Sequence, residues 1–97
     1  MPFDPALRHL IADFRKSPNW GAELDLQLLQ QLWPAIVGER LASAAKIVAL
    51  HGSRVVVNVP DRIWRKQLVK MKSELLARIN EPWATPWITE IAFTYED

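Results

Sequence analysis

The stretch Lys46-Ile-Val-Ala-Leu50, His51-Gly-Ser53, Arg54-Val-Val-Val-Asn-Val59, Pro60-Asp61 decides the fold. Two short runs rich in β-branched residues flank a tight segment centred on Gly52, which is the signature of a β-hairpin. Pro60 has no N–H to give to a ladder, so the second strand is predicted to stop there. Asp61 is a good N-cap for the segment that follows. Trp64, Leu68, Met71, Leu75 and Ile79 step by four, three, four and four. That spacing predicts one long helix with a single apolar stripe, ending near Asn80, a residue suited to a helix end.

Beyond this centre, residues 81–86 read as a short irregular connector with room for one helical turn. Ile88, Ile91, Phe93 and Tyr95 then predict a last strand, with Ala92 and Thr94 on its other face. Upstream, Pro5 can open a first helix carrying Leu7, Leu10, Ile11 and Phe14 at helical spacing. Residues 16–21 read as a loop. Leu24, Leu28, Leu32 and Trp33 form a second helical stripe, which Ile36, Val37, Leu41 and Ala44 continue beyond Pro34. Helix is predicted on both sides of Pro34, either as one bent element or as two. The order is helices, hairpin, long helix, final strand, an α+β arrangement with helices packed on a small sheet. The 97 residues suffice for one domain over 1–97, with 1–21 as a helical lead-in.

Composition narrows the function classes. Hydrophobic residues at 49% and charged residues at 24% belong to a globular chain and exclude a disordered one. Cysteine is absent, which excludes disulfides, thiolate zinc sites and cysteine nucleophiles. His9 and His51 are read as surface residues of a helix and a turn. Asp25, Glu39 and Asp61 have no metal-site spacing, and Glu23 and Glu39 read as exposed helix positions. No Gly-x-Ser-x-Gly, His-Glu-x-x-His or phosphate-loop pattern occurs, so neither an enzyme nor a cofactor or metal site is expected. No apolar run approaches the ~20 residues that span a bilayer. The N-terminus lacks a basic region followed by an apolar stretch, so a cytoplasmic protein is expected.

Two blocks carry a family resemblance. One is Leu32-Trp-Pro-Ala-Ile-Val-Gly-Glu-Arg-Leu-Ala42, with Trp33, Val37 and Gly38 at its centre. The other is Trp64-Arg-Lys-Gln-Leu-Val-Lys-Met-Lys-Ser-Glu-Leu-Leu-Ala-Arg-Ile-Asn80, with Trp64, Leu68, Leu75 and Asn80 as its marks. In this order, with the hairpin between them, they resemble the DciA family of bacterial proteins that act on the replicative helicase DnaB. The resemblance covers roughly residues 22–95. It implies a KH-like domain of α-β-β-α-β order, with a possible extra turn before the last strand. It also implies a role in loading or operating DnaB, and affinity for DNA. Two departures stand out. Many members carry a C-terminal extension that contributes to helicase contact, and no counterpart follows Tyr95 here, so contact is expected from the globular surface. Ordinary KH domains clamp nucleic acid with a Gly-x-x-Gly loop, and Gly21, Gly38 and Gly52 are too far apart to make one.

Independently of that resemblance, the net charge of +1 hides a segregation. Residues 1–33 carry a net of −1 and residues 34–60 a net of +2. Residues 61–80 carry six basic and two acidic side chains, and residues 81–97 carry four acidic and no basic ones. At about 100° per residue, Arg62, Arg65, Lys66 and Lys70 share an arc of about 140° opposite the apolar stripe. Such an arc can track phosphates, and Lys46 and Arg54 on the hairpin are expected to extend it. The competing reading is the solvated face of an amphipathic helix.

The five tryptophans divide in two. Trp33 and Trp64 lie on apolar stripes and are expected in the core. Trp20, Trp83 and Trp87 lie in loop-like segments and are the candidate partner-binding residues, as base stackers or protein anchors. The alternative for Trp83 and Trp87 is that they cover the open end of a small core. Gly38 costs helix stability, and close packing of its helix against a neighbour is the preferred compensation, with access of a partner backbone as the other reading.

Three functions follow as expectations. The first is a replication accessory protein binding DnaB and single- or double-stranded DNA. The second is a generic KH-like RNA- or ribosome-associated module. The third is a protein-only adaptor.

Overall fold

The computed structural model describes residues 5–16, 18, 20–81, 83 and 86–95. Their elements run α1 (Pro5–Arg15), α2 (Ala22–Val37), α3 (Glu39–Ala44), β1 (Lys46–His51), β2 (Arg54–Asn58), α4 (Arg62–Lys70), α5 (Lys72–Asn80) and β3 (Glu90–Thr94). The sheet order is β1-β2-β3. β1 and β2 are antiparallel, and β2 and β3 are parallel. A parallel neighbour cannot be reached by a tight turn, so α4 and α5 form the crossover between β2 and β3. The chain is thus α+β, as the order of elements predicted.

The hairpin turns on Gly52-Ser53, with His51 opposite Arg54. Gly52 has φ 64°, and among the described residues no non-glycine residue has positive φ. A positive φ at the first loop position alone belongs to a type II′ turn, whose twist matches the flanking strands. A register shift between Ile47 and Ala49 leaves Val48 unpaired, and it is 50% exposed. This bulge keeps Ile47 on the buried face while turning Val48 to solvent. Val55, Val57, Ile91 and Phe93 point to the same buried face, and Arg54, Asn58, Glu90 and Thr94 to the other. The helices therefore cover one face of the sheet. Leu29, Leu68, Leu75 and Ile79 meet it at no more than 1% exposure.

Three local outcomes refine the expectations. Pro34 lies inside α2, which continues to Val37. The break falls at Gly38, with φ 92° and ψ 150°, a region open essentially to glycine alone. Gly38 ends α2 by donating to the Pro34 carbonyl at 2.8 Å, and its own carbonyl accepts from Ala42 at 3.0 Å to start α3. Nothing lies within 4 Å of where a Cβ would stand, so close packing is not why glycine occupies the position. Backbone conformation is.

The long helix expected over 61–80 is two helices. Asp61 caps α4 as expected, its carboxylate accepting from the Trp64 N–H at 2.9 Å. The path bends at Met71 (φ −96°, ψ 7°), whose N–H reaches Leu68 at 3.0 Å in a tightened last turn. The apolar stripe survives the bend: Leu68, Leu75 and Ile79 are buried, and Trp64 and Met71 are packed partly against them. α4 lies against β3, and α5 against both β3 and α2.

The turn allowed for within residues 81–86 falls mostly outside the described residues, as does part of the 1–21 lead-in. On α1, Leu10 and Phe14 are 51% and 58% exposed, so this part of the predicted stripe stays uncovered.

Candidate nucleic-acid interface

α4 presents the basic arc. Leu68 is buried, Trp64 half-buried, and Arg62, Arg65, Lys66 and Lys70 are exposed on the rest of the helix surface. These four cations and Val69 line one shallow depression of about 360 Å³ with no acidic residue in its wall. Val69, 43% exposed, is its apolar floor. The sequence wheel therefore placed these four residues together correctly, although it did not draw attention to Val69.

Arg65 also reaches sideways. Its Nε donates to the Phe93 carbonyl at 3.2 Å, tying α4 to β3. Here a second groove, of about 460 Å³, runs along β3 from Glu90 to Thr94, with Arg54, Arg65, Val69 and Lys72 on its sides. Arg54 reaches this groove because it sits beside Glu90 in the register of β2 and β3. Lys72 was not among the expected cations. It lies seven residues after Arg65, about 20° away on an unbroken wheel, so that spacing could have found it. Its Nζ holds Glu90 Oε1 at 2.7 Å. This hydrogen bond, with that from the Ile91 N–H and the charge of Lys72, keeps the Glu90 carboxyl below its ordinary pKa.

Lys46 does not extend the patch. It stands opposite Asn58 on β1, the far edge strand from β3, beside a depression lined by Gln30, Trp33 and Pro34. A hairpin places its two strand starts at opposite ends, so Lys46 and Arg54 cannot share one site.

The loop tryptophans gather around Arg15. Trp83 is 4% exposed and meets half-buried Trp87 edge-on, ring centroids 5.0 Å apart at 79°. The Arg15 guanidinium sits 4.0 Å from the Trp87 centroid and 5.4 Å from that of Trp83. Arg15 Nε also bonds Asp25 Oδ1 at 2.9 Å, and Trp20 Nε1 donates to the same oxygen at 2.6 Å. Trp87 Nε1 reaches the Gly52 carbonyl at 3.2 Å. Trp83 is thus a core side chain rather than an exposed anchor, because α1's last turn and Trp87 cover it. Trp20 and Trp87 are half-buried, with their indole N–H groups engaged.

The two blocks that carry the family resemblance hold elements of the fold together. Trp33 Nε1 donates to the Ala45 carbonyl at 2.7 Å, fastening α2 to the entry of β1. Val37 is buried beside it. Asn80 is the hub between α5 and β3: its Nδ2 donates to Leu76 and Ile88 carbonyls at 3.0 and 2.8 Å. Its Oδ1 accepts from the Trp87 and Ile88 N–H groups at 2.9 and 2.8 Å. Among the described residues no cluster of His, Asp or Glu is placed to hold a metal ion. No helix among them is long and apolar enough to cross a membrane.

Fold and surface together define a small α+β domain with a basic helix laid beside an open sheet edge. The chain belongs to the DciA family, described as "Dna[CI] antecedent, DciA", whose profile matches residues 6–93. It is also similar to a UPF0232 protein of Mycolicibacterium smegmatis, 32% identical over 77 residues, covering 78% of this chain and 40% of that protein. A UPF0232 protein of Mycolicibacterium paratuberculosis is 26% identical over 88 residues, covering 91% of this chain and 49% of that protein. The chain spans less than half the length of these curated relatives.

Proposed function

We propose that this protein is a DNA-replication accessory factor that binds a DnaB-type replicative helicase and promotes its loading or activity on DNA, touching DNA directly. DciA family membership over residues 6–93 supports the DnaB-related replication role. The observation that carries the DNA contact is the outer face of α4, where four cations surround Val69 with no carboxylate among them. A face of this kind neutralises backbone phosphates without reading sequence. The bend at Met71 carries no Gly-x-x-Gly loop, so side-chain cations replace a backbone clamp.

The test is a paired binding measurement with the cognate helicase and with a single-stranded oligonucleotide. Retention of helicase together with salt-sensitive DNA binding is expected. Absence of helicase binding across a range of salt overturns the helicase role, and unchanged DNA affinity in an Arg62→Ala, Lys66→Ala, Lys70→Ala variant overturns the DNA face.

A further inference from the structure

β3 is an edge strand, and the polarity of its open side follows from the hydrogen bonds. The Thr94 carbonyl accepts from Val59 at 2.7 Å, so Thr94 faces β2. Alternation then turns the backbone groups of Ile91 and Phe93 outward. Two of these four groups are stoppered by side chains: Ile91 N–H donates to Glu90 Oε1 at 3.0 Å, and the Phe93 carbonyl accepts from Arg65 Nε. The Ile91 carbonyl and Phe93 N–H lie between the stoppers and face the groove. Side-chain stoppers of this kind keep an edge from pairing at random. They also mark an edge that can be opened.

From this we propose that the groove between α4 and β3 receives an extended, acidic segment of a protein partner as a fourth strand. Strand addition satisfies both kinds of outward backbone group at once, since a peptide brings N–H and C=O at strand spacing. The groove carries Arg54, Arg65 and Lys72 against the single carboxylate of Glu90. Glu90 stays held by Lys72, leaving Arg65 and Arg54 to receive an incoming carboxylate. Val69 and half-buried Ala92 offer apolar walls for alternate side chains. A nucleic-acid strand suits this channel less well, because its phosphates are acceptors only and would face the Glu90 carboxylate and the outward carbonyls. The strand site adjoins the DNA face proposed for α4's outer surface, sharing Arg65 and Val69 with it, while Arg62, Lys66 and Lys70 belong to the DNA face alone.

The probe is a blocked hexapeptide, Thr-Val-Val-Glu-Val-Thr, compared with the same peptide carrying Lys in place of Glu, both titrated into the whole chain and followed by amide NMR. The acidic peptide is expected to shift the Ile91 and Phe93 amides and slow exchange of the Phe93 N–H. It is expected to bind roughly tenfold tighter than its Lys counterpart, the worth of one charge-assisted hydrogen bond. Arg54→Ala combined with Arg65→Ala is expected to abolish that preference, with amide dispersion like that of the parent chain showing that the variant is folded. No binding up to millimolar peptide overturns the proposal, as does binding without an acidic preference. Oligo-dT shifting the same amides in place of the peptide assigns the groove to nucleic acid instead. Concentration-dependent protection of Phe93 without peptide assigns it to a second copy of the chain.

Discussion

Asn80 and Ile88 exchange two hydrogen bonds, side-chain amide to backbone carbonyl and backbone N–H to side-chain carbonyl, each at 2.8 Å. The last residue of α5 thereby acts as a strand partner for the segment that enters β3. Asn80→Ala strips partners from the Leu76 and Ile88 carbonyls and from the Trp87 and Ile88 N–H groups in a half-buried setting. A loss of about 2–3 kcal/mol is expected, from leaving several such groups unsatisfied. Urea unfolding followed by tryptophan fluorescence measures it, and a loss within experimental error removes Asn80 from this role.

Gly38→Ala separates two explanations of one glycine. The site has open space for a Cβ but a φ of 92°, so the methyl group costs backbone strain and no clash. A destabilisation of about 1–3 kcal/mol is expected, with the α2–α3 junction adjusting locally. Thermal unfolding that leaves the midpoint unchanged would contradict the strain argument.

Arg15 links α1 to the tryptophan cluster. Arg15→Ala removes the ion pair with Asp25 and the cation over Trp87. Because both partners of the ion pair are only partly buried, a loss of about 1 kcal/mol is expected. Faster amide exchange in α1 and a red-shifted tryptophan emission are the more specific signs, since Trp83 is then less covered.

Glu90 gives a pH dependence with a definite sign. Lys72's hydrogen bond lowers its pKa in the folded chain relative to the unfolded one. A lowered carboxyl pKa adds stability above the unfolded value, and that stability is lost as pH falls through the folded value. A carboxyl NMR titration is expected to place Glu90 below an ordinary glutamate. Lys72→Ala should move it upward, and an unmoved midpoint would remove Lys72 as the cause.

The α4 face yields a salt-dependence. For Arg62→Ala, Lys66→Ala, Lys70→Ala the slope of log affinity against log salt should flatten by about 0.7 per lost contact on single strands. Anisotropy titration at several salt concentrations reads this directly. A weaker affinity with an unchanged slope would argue against phosphate contact.

The parts of the fold legible in the sequence are those governed by local chemistry. Gly52 between β-branched runs, Asp61 after Pro60, and the 64-68-71-75-79 stripe each carry a short-range physical signal. The bend at Met71 does not, because neither Gly nor Pro marks it and the apolar stripe continues across it. At Pro34 the loud residue is not the break. A helix tolerates the lost bond there, while quiet Gly38 supplies the one φ that ends α2. Trp83 and Trp87 read alike among prolines, and their different burial depends on the edge-on contact between them and on the approach of Arg15 from α1. Likewise the arc on α4 follows from helical period alone. The separation of Lys46 from Arg54 and the groove along β3 depend on strand pairing that no local pattern records.

The most direct test of the central claim is helicase loading. The cognate DnaB-type helicase is mixed with single-stranded DNA, with and without this chain, and helicase retained on the DNA is quantified. A chain-dependent increase in loaded helicase, accompanied by a stable complex of chain and helicase, is the expected result. Equal loading in both mixtures, with no complex at low or high salt, would contradict it.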